Sequence, residues 1–586
     1  MDNPVIDSDN IKGIECKYVT YQEARDGSHD DMLLIKEVVH TKDGQLIPRL
    51  KMVENFKRPV FVTKKNHRNH LDKKEYEELD KLDRFDCTQS RMSITLQRAL
   101  GRGIPNPKLR LREVCKSPYC YFADLSSSTI MKAAYKRKNP DLISRNAVAV
   151  LDIETDTVHG TNEAIMVSVT MGKKKIIGIA DWWAKRIPDI ENTLHEKYRQ
   201  YLSTITLREK CKKTGKKIDV EHDLIKERGG DLIIICDDNI AEVFKRVMHE
   251  VHTWLPDFLA IWNMNFDLPK LIQVLNKYGV PLEDVFCDPT VPEKYRNVWF
   301  KQAKSQRETN SKKIAQHPAD LWHVLYCMAG FYVIDAMCAF KKIRVANGNE
   351  PDYKLDGVLG RHLGIGKLKF NQVVASEGQL AWHIEMQRDY PAEYCIYNIF
   401  DCMSIELLDE QTNDLGLTVP GLIGNSEYAI FSSLPRRLVD NLHYFYLDRK
   451  LIAGCVGGAD ASDLDDGIVE LQGWIVTLPA HMVEDNGLQC IAEVPRLRTT
   501  YRVQTADDDI TQAYPTGELI LNISKETTFI ELKEIEGVSD AARRHAGINL
   551  TGGKTNAIEI CNELLNVPYI HSVLELFEND IEEGKI

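Results

Sequence analysis

The chain is 586 residues long, with 43% hydrophobic and 28% charged residues and a net charge of −12. This is ordinary globular composition, which excludes a fibre or a disordered tail, and the length leads us to expect three or four domains. No run of about 18 apolar residues exists, so no membrane-spanning helix is expected. Met1 to Asn10 lacks the basic and apolar stretches of a signal peptide, so none is expected. The 14 cysteines are scattered without a CxxC pair, Cys115 and Cys120 being closest, and read as buried free thiols of a reducing compartment. The acidic balance speaks against a broad phosphate-binding surface. Local basic segments remain, however: Lys64 to Arg68, Lys132 to Lys138, Lys173 to Lys175, Lys210 to Lys217 and Lys341 to Arg344. A single basic channel would be compatible with both facts.

Residues 1–145 alternate short apolar runs, Met32 to Ile35 and Val60 to Val62, with charged, helical-looking stretches such as Lys73 to Asp86; a mixed α/β domain is expected. The near-continuous apolar run Ala147 to Leu151 predicts a fully buried strand. Over 146–410, strands at Ile165 to Val169, Leu232 to Ile235 and Leu259 to Trp262 alternate with amphipathic helices, an α/β pattern. Residues 301–316, rich in Lys, Gln and Ser, read as a loop inserted in that domain. A helical connection, 411–455, is expected to pack back on the N-terminal domain; its helix runs from about Ser426 to Leu447 and leads to Gly454 to Gly458. The remainder, 456–586, mixes strands with a terminal helical segment, and no internal repeat is present.

Three segments carry chemistry. Asp152 and Glu154 follow the buried strand with one residue between them, and a period of two puts both side chains on one face. Paired carboxylates there are costly unless a cation neutralises them. Asn263-Met264-Asn265-Phe266-Asp267 comes next; Asp267 sits where an N-cap would be, ahead of Leu268, Leu271, Ile272 and Leu275 and a stop at Gly279. Tyr397 and Asp401 are spaced i, i+4 in a helical stretch from Glu393 to Glu410, so both leave one face. Taken singly, these are a strand end with two solvated acids, a helix cap and a surface pair.

In this order, the three sets resemble the proofreading 3′→5′ exonuclease of the DnaQ-like, RNase-H-like type, and Tyr397 places the site in its DEDDy subgroup. The resemblance implies two Mg²⁺ or Mn²⁺ ions. Asp152 would bridge them, Glu154 and Asp401 would complete the site of the ion that carries the nucleophile, and Asp267 would serve the second. Tyr397 would hold the attacking water or a phosphate oxygen, with Asn263, Asn265 and Phe266 contacting DNA.

Further text extends the likeness. Tyr353-Lys354-Leu355-Asp356, Gly364 to Phe370, Asp509 to Thr516 and Asn522 to Thr527 follow the order of a family B DNA polymerase of the T-even-like bacteriophage branch. The resemblance covers its N-terminal part: exonuclease domain and, over 456–586, a partial palm up to the base of the fingers. It implies that Asp509 binds the polymerase metals, that the Ile510 backbone lies beside the triphosphate, and that Tyr514 stacks under the incoming sugar. Gly457 and Gly458 sit where the family tracks template DNA. There are departures. Val456-Gly457-Gly458-Ala459-Asp460 lacks the usual tyrosine, and Thr511-Gln512-Ala513-Tyr514-Pro515-Thr516 loses an apolar side chain at Ala513. No K-x-x-x-N-S-x-Y-G helix and no D-T-D hairpin follow residue 516, so the polymerase ligand set is one aspartate short. Gly547 to Thr555 imitates a P-loop with one residue too many between its glycines, and reads as a loop before a helix.

The expectation is an N-terminal subunit or fragment of a split DNA-directed DNA polymerase. It would shorten single-stranded DNA from the 3′ end, and would extend a primer–template with dNTPs only beside a second polypeptide bearing the fingers, the rest of the palm and the thumb. A sliding clamp is a further expected partner, no membrane is, and the compartment would be the cytoplasm of a phage-infected bacterium. Two competing readings are a non-catalytic DNA- or partner-binding platform and a stand-alone exonuclease with a vestigial palm.

Overall fold

The structure, a computed structural model, describes residues 8–455 apart from 72, 102, 211–216, 310–311, 346–347 and 375–377. All belong to the first of two units into which the chain divides, Met1–Asp460. It is a mixed α/β architecture built on one large mixed sheet. Eight strands lie in the order Ile233–Asp237, Lys174–Ala180, Ala164–Met171, Val148–Thr155, Phe258–Ile261, Tyr332–Asp335, Val324–Cys327 and Val298–Lys301. Ala164–Met171 runs antiparallel to both of its neighbours, whereas Val148–Thr155, Phe258–Ile261 and Tyr332–Asp335 are mutually parallel.

Strand Val148–Thr155 is apolar without interruption at its start because helices cover both faces. Ala149, Leu151 and Ile153 face a core shared with helices Ile240–Trp254 and Met264–Lys277. Val148 and Val150 face the other core, dominated by helix Pro391–Thr412 and closed by Ile190–Leu202. By the same alternation Asp152 and Glu154 belong to the side of Pro391–Thr412. Helix Ile240–Trp254 buries Val243, Phe244, Val247, Met248 and Val251 at helical spacing, and Asn239 caps it by accepting from the Ala241 N–H. It lies tight on the sheet over Gly178, where a Cβ would run into Val243 and Val247.

Before this sheet come two three-stranded antiparallel sheets. Ile11–Glu23, Asp31–Thr41 and Leu46–Glu54 form one; Leu82–Cys87, Arg58–Thr63 and Cys120–Tyr121 form the other. The last described strand, Leu451–Ala453, pairs with Tyr76–Glu78, and Tyr444 and Leu447 of helix Leu434–Asp448 pack against Phe61, Tyr121 and Phe122. No helix among the described residues is long and apolar enough to cross a membrane. The described cysteines are free, and most are buried.

Two expectations are overturned. The charged stretch Lys73 to Asp86 is strand, 3₁₀ turn and strand (Tyr76–Glu78, Leu79–Lys81, Leu82–Cys87). Pairing with Arg58–Thr63 and Leu451–Ala453 satisfies its backbone, and burial of Leu82 and Cys87 outweighs helix propensity. Residues 301–316 hold a hairpin, Gln306–Thr309 with Lys312–Ala315, whose ladder needs no apolar side chains to satisfy its backbone. The expectations over 456–586 lie outside the described residues.

Candidate metal centre

Three carboxylates converge from two elements, and a fourth lies within electrostatic reach of them. Asp152 and Glu154 project from the central strand, and Tyr397 and Asp401 come one turn apart from helix Pro391–Thr412 lying across it. Carboxylate oxygens of Asp152, Glu154 and Asp401 lie within 4.8 Å of one another. Asp267, in the first turn of the helix that follows strand Phe258–Ile261, feels the charges of Asp152 and Glu154. It is not the cap that its sequence suggests. Helix Met264–Lys277 starts earlier with Asn263 in the cap position, because Asp335 accepts a hydrogen bond from the Met264 N–H at 3.2 Å and tethers the first turn. Asp267 is therefore a buried side chain on that turn, where the helix dipole favours negative charge.

The electrostatics follow from burial. Asp152 is pushed up to about 7, first by burial and then by Asp401, against Lys367 and a hydrogen bond from Asn398 (2.7 Å). Burial, and then Asp152, raise Glu154 and Asp267 well above the usual carboxylate range. Asp401, 1% exposed, is raised by burial against the pull of Lys367. Several buried acids sharing one site repel one another in a low dielectric and invite a cation.

One such cation belongs to the chain. Lys367 Nζ donates to Asp401 Oδ2 at 2.5 Å and to the Tyr397 hydroxyl at 3.0 Å. Burial alone would lower its pKa, but Asp401 and Asp152 outweigh that and raise it. The loop that presents it is pinned by Asp356, which accepts from the Lys367 N–H at 2.8 Å and pairs with Lys369 at 3.2 Å. Thus Tyr353 to Asp356 and Gly364 to Phe370, two segments quoted for their family likeness, act together to place this lysine. The sequence reading assigned Lys367 no role; its signal was a lysine directly after Gly366 in a segment quoted for its order.

Residues Asn265 and Phe266 are exposed beside Asp267, and Asn263 is half-buried. Asn265 Oδ1 accepts from Gln302 at 3.2 Å, and Phe266 leaves 49% of its surface open. Further residues missed in the sequence are Asn398 on Asp152 and Tyr394, whose hydroxyl meets Glu154 Oε2 at 2.5 Å. Asp509, Ile510, Tyr514, Gly457 and Gly458 lie outside the described residues.

The donor set suits a hard divalent cation. It is all oxygen, and Asp401 Oδ1 is buried without a hydrogen-bond partner. A second group of possible ligands, Cys115, Asp124 and Cys455, meets the same 4.8 Å limit. It adjoins an apolar core around Val60, Val62 and Leu96, and the buried cation Arg58 lies near both cysteines, which disfavours another positive charge. No protein-family model and no curated protein matches this chain.

Proposed function

We propose that this chain is a two-metal 3′→5′ exonuclease of the DEDDy type, carried on an RNase-H-like sheet in the N-terminal part of a family B DNA polymerase. The observation that carries the reading is the convergence of Asp152, Glu154 and Asp401 within 4.8 Å, with the buried Asp267 in reach of their charge and Tyr397 sharing Lys367 with Asp401. The strand order Lys174–Ala180, Ala164–Met171, Val148–Thr155, Phe258–Ile261, Tyr332–Asp335, with the second strand in the chain reversed, supports the fold assignment.

In this reading Asp152, Glu154, Asp401 and Asp267 hold two Mg²⁺ or Mn²⁺ ions. Ions bound there supply Lewis acidity to the scissile phosphate and make water nucleophilic at neutral pH. The chain's own groups do the rest. Tyr397 offers its hydroxyl to the attacking water or a phosphate oxygen. The Lys367 ammonium, released from Asp401, is free to donate to a phosphate oxygen. Phe266 presents an open ring on which a terminal base can stack, and Asn263 and Asn265 flank it with amide donors. Attack of water on phosphorus breaks the bond to the 3′-oxygen, which leaves with a proton, and a nucleoside 5′-monophosphate is released. Primer extension with dNTPs, beside a polypeptide that supplies fingers, remaining palm and thumb, rests on the resemblance of Asp509 to Thr516 alone.

The test is a primer–template assay with Mg²⁺, with and without dNTPs, on the full chain and on Asp152→Ala/Glu154→Ala. The wild type should shorten the primer from its 3′ end, and the double variant should lose all nuclease activity with an unchanged circular dichroism spectrum. Full activity in the double variant would sink the site assignment. A wild type that binds DNA without shortening it would favour the platform reading. Extension by this chain alone would remove the need for a second polypeptide.

A further inference from the structure

Helix Gln379–Asp389 contributes nothing to the carboxylate cluster, yet two of its side chains, one turn apart, converge on the hydroxyl of Tyr394. His383 Nδ1 lies 2.8 Å from it and Gln387 Nε2 3.1 Å. Tyr394 and Gln387 are fully buried. The amide of Gln387 can face only one way. Its Oε1 accepts from the Thr157 N–H at 3.0 Å, and its Nε2 donates to the Thr155 carbonyl at 2.8 Å, so the second Nε2 hydrogen goes to Tyr394.

A proton count settles the rest. The phenol has one hydrogen, and Glu154 Oε2 lies 2.5 Å away. A glutamate that holds a cation is ionised and has no hydrogen to give, so the phenol donates to it. His383 must then present Nδ1–H, and the Tyr394 oxygen accepts from His383 and Gln387 with its two lone pairs. Every site on that oxygen is used, and the direction of each bond is fixed.

We propose that Tyr394, oriented by His383 and Gln387, is the positioning group of the metal centre: it ties down Glu154 Oε2 and leaves Oε1 as the ligand atom, while Gln387 clamps the backbone just after Glu154. The inference rests on the exonuclease reading and names residues beyond its metal ligands and nucleophile. Partners of this kind commonly change metal affinity or activity by about 10–100-fold when removed.

The decisive experiment is Mn²⁺ binding to the full chain without DNA, by calorimetry and by loss of the free-ion electron paramagnetic resonance signal. It is paired with kcat and KM on single-stranded DNA. Tyr394→Phe keeps the ring that stacks on Tyr397 (centroids 5.7 Å apart) and removes only the hydroxyl. Its Mn²⁺ dissociation constant should rise, and its kcat should fall, by about 10-fold or more. KM for DNA should stay near wild type, while the thermal midpoint should fall modestly because the buried Gln387 donor loses its acceptor. Unchanged Mn²⁺ affinity and kcat would overturn the proposal. If Tyr394→Phe does not fold, His383→Ala, at a less buried position, should weaken Mn²⁺ binding in the same direction; wild-type affinity there would overturn it equally. Asp152→Ala separates this from the parent reading. If it abolishes Mn²⁺ binding while Tyr394→Phe does not weaken it, only the positioning role fails; if it leaves binding intact, the metal centre itself is wrong.

Discussion

Replacing Lys367 by Met comes close to the length of the side chain and removes the one ammonium that, among the described residues, touches the acidic cluster. Asp401, 1% exposed, then loses a partner at 2.5 Å. Stripping the partner from a buried ion pair costs about 3–5 kcal/mol when the remaining charge stays uncompensated. Two features reduce that here. The Lys367 side chain keeps 29% of its surface, and Asp152, already pushed up to about 7, can take up a proton and relieve part of the repulsion. We therefore expect Lys367→Met to lose about 2 kcal/mol in EDTA near neutral pH, below the range for fully buried pairs. A divalent ion should reverse the sign of the comparison. In the wild type it must displace the ammonium from Asp401, whereas in the variant it need not, and an ion that binds only the folded state stabilises in proportion to its affinity. The assay is thermal unfolding of both proteins in EDTA and over a Mn²⁺ series without DNA. The variant should melt lower in EDTA and gain more from Mn²⁺. A variant as stable as wild type in EDTA, or one that gains less from Mn²⁺, would refute the view that Lys367 neutralises these carboxylates.

Two further expectations concern the scaffold. His443 is 1% exposed, has Phe122 edge-on at 5.6 Å, and neither ring nitrogen has a hydrogen-bond partner. Burial, then Arg436 and Arg58, lower its pKa from 6.5 to about 4. The unfolded chain thus binds the proton more readily, so the stability that neutral His443 contributes is present above pH 6.5 and is lost as pH falls toward 4. At about 1.4 kcal/mol per tenfold in proton affinity this amounts to roughly 3 kcal/mol at most, and His443→Leu should flatten the denaturant-midpoint profile over that window; an unaltered profile would contradict the assignment. Gly178→Ala puts a methyl into Val243 and Val247, and overpacking of this kind should destabilise by about 1–3 kcal/mol in urea titrations, a neutral result showing that helix Ile240–Trp254 can move away.

Much of the central sheet was legible because its signals are local. A near-continuous apolar run marks a buried strand, the Asp-x-Glu after it shares one face by the period of two, and the i, i+4 spacing of Tyr397 and Asp401 holds wherever the helix packs. What stayed hidden depends on contacts between distant segments. The stretch around Lys73 to Asp86 carries charges that suit a solvated helix, and only its pairing with remote strands makes it extended. Asp267 looks like a cap because the tether that moves the helix start, Asp335, stands 71 residues from Met264. Lys367 sits in a loop without periodicity, so nothing local marks it as the cation of the site. Tyr394, one turn before Tyr397, reads as ordinary helix core until the far end of the central strand is laid against it.

The bonds that join Tyr394 to Glu154 and Asn398 to Asp152 span 240 and 246 residues of sequence. No nascent chain that ends before residue 401 can assemble the centre. During synthesis Asp152, Glu154 and Asp267 therefore lack the cover of Asn398, Tyr394 and Asp401 until the segment 391–412 has emerged and docked. That docking step removes water from like charges at once, so it is opposed by their repulsion and eased by any cation present. Non-local closure of this sort is slow for reasons of topology alone. The carboxylate centre is thus withheld from incomplete chains by the path of the polypeptide itself.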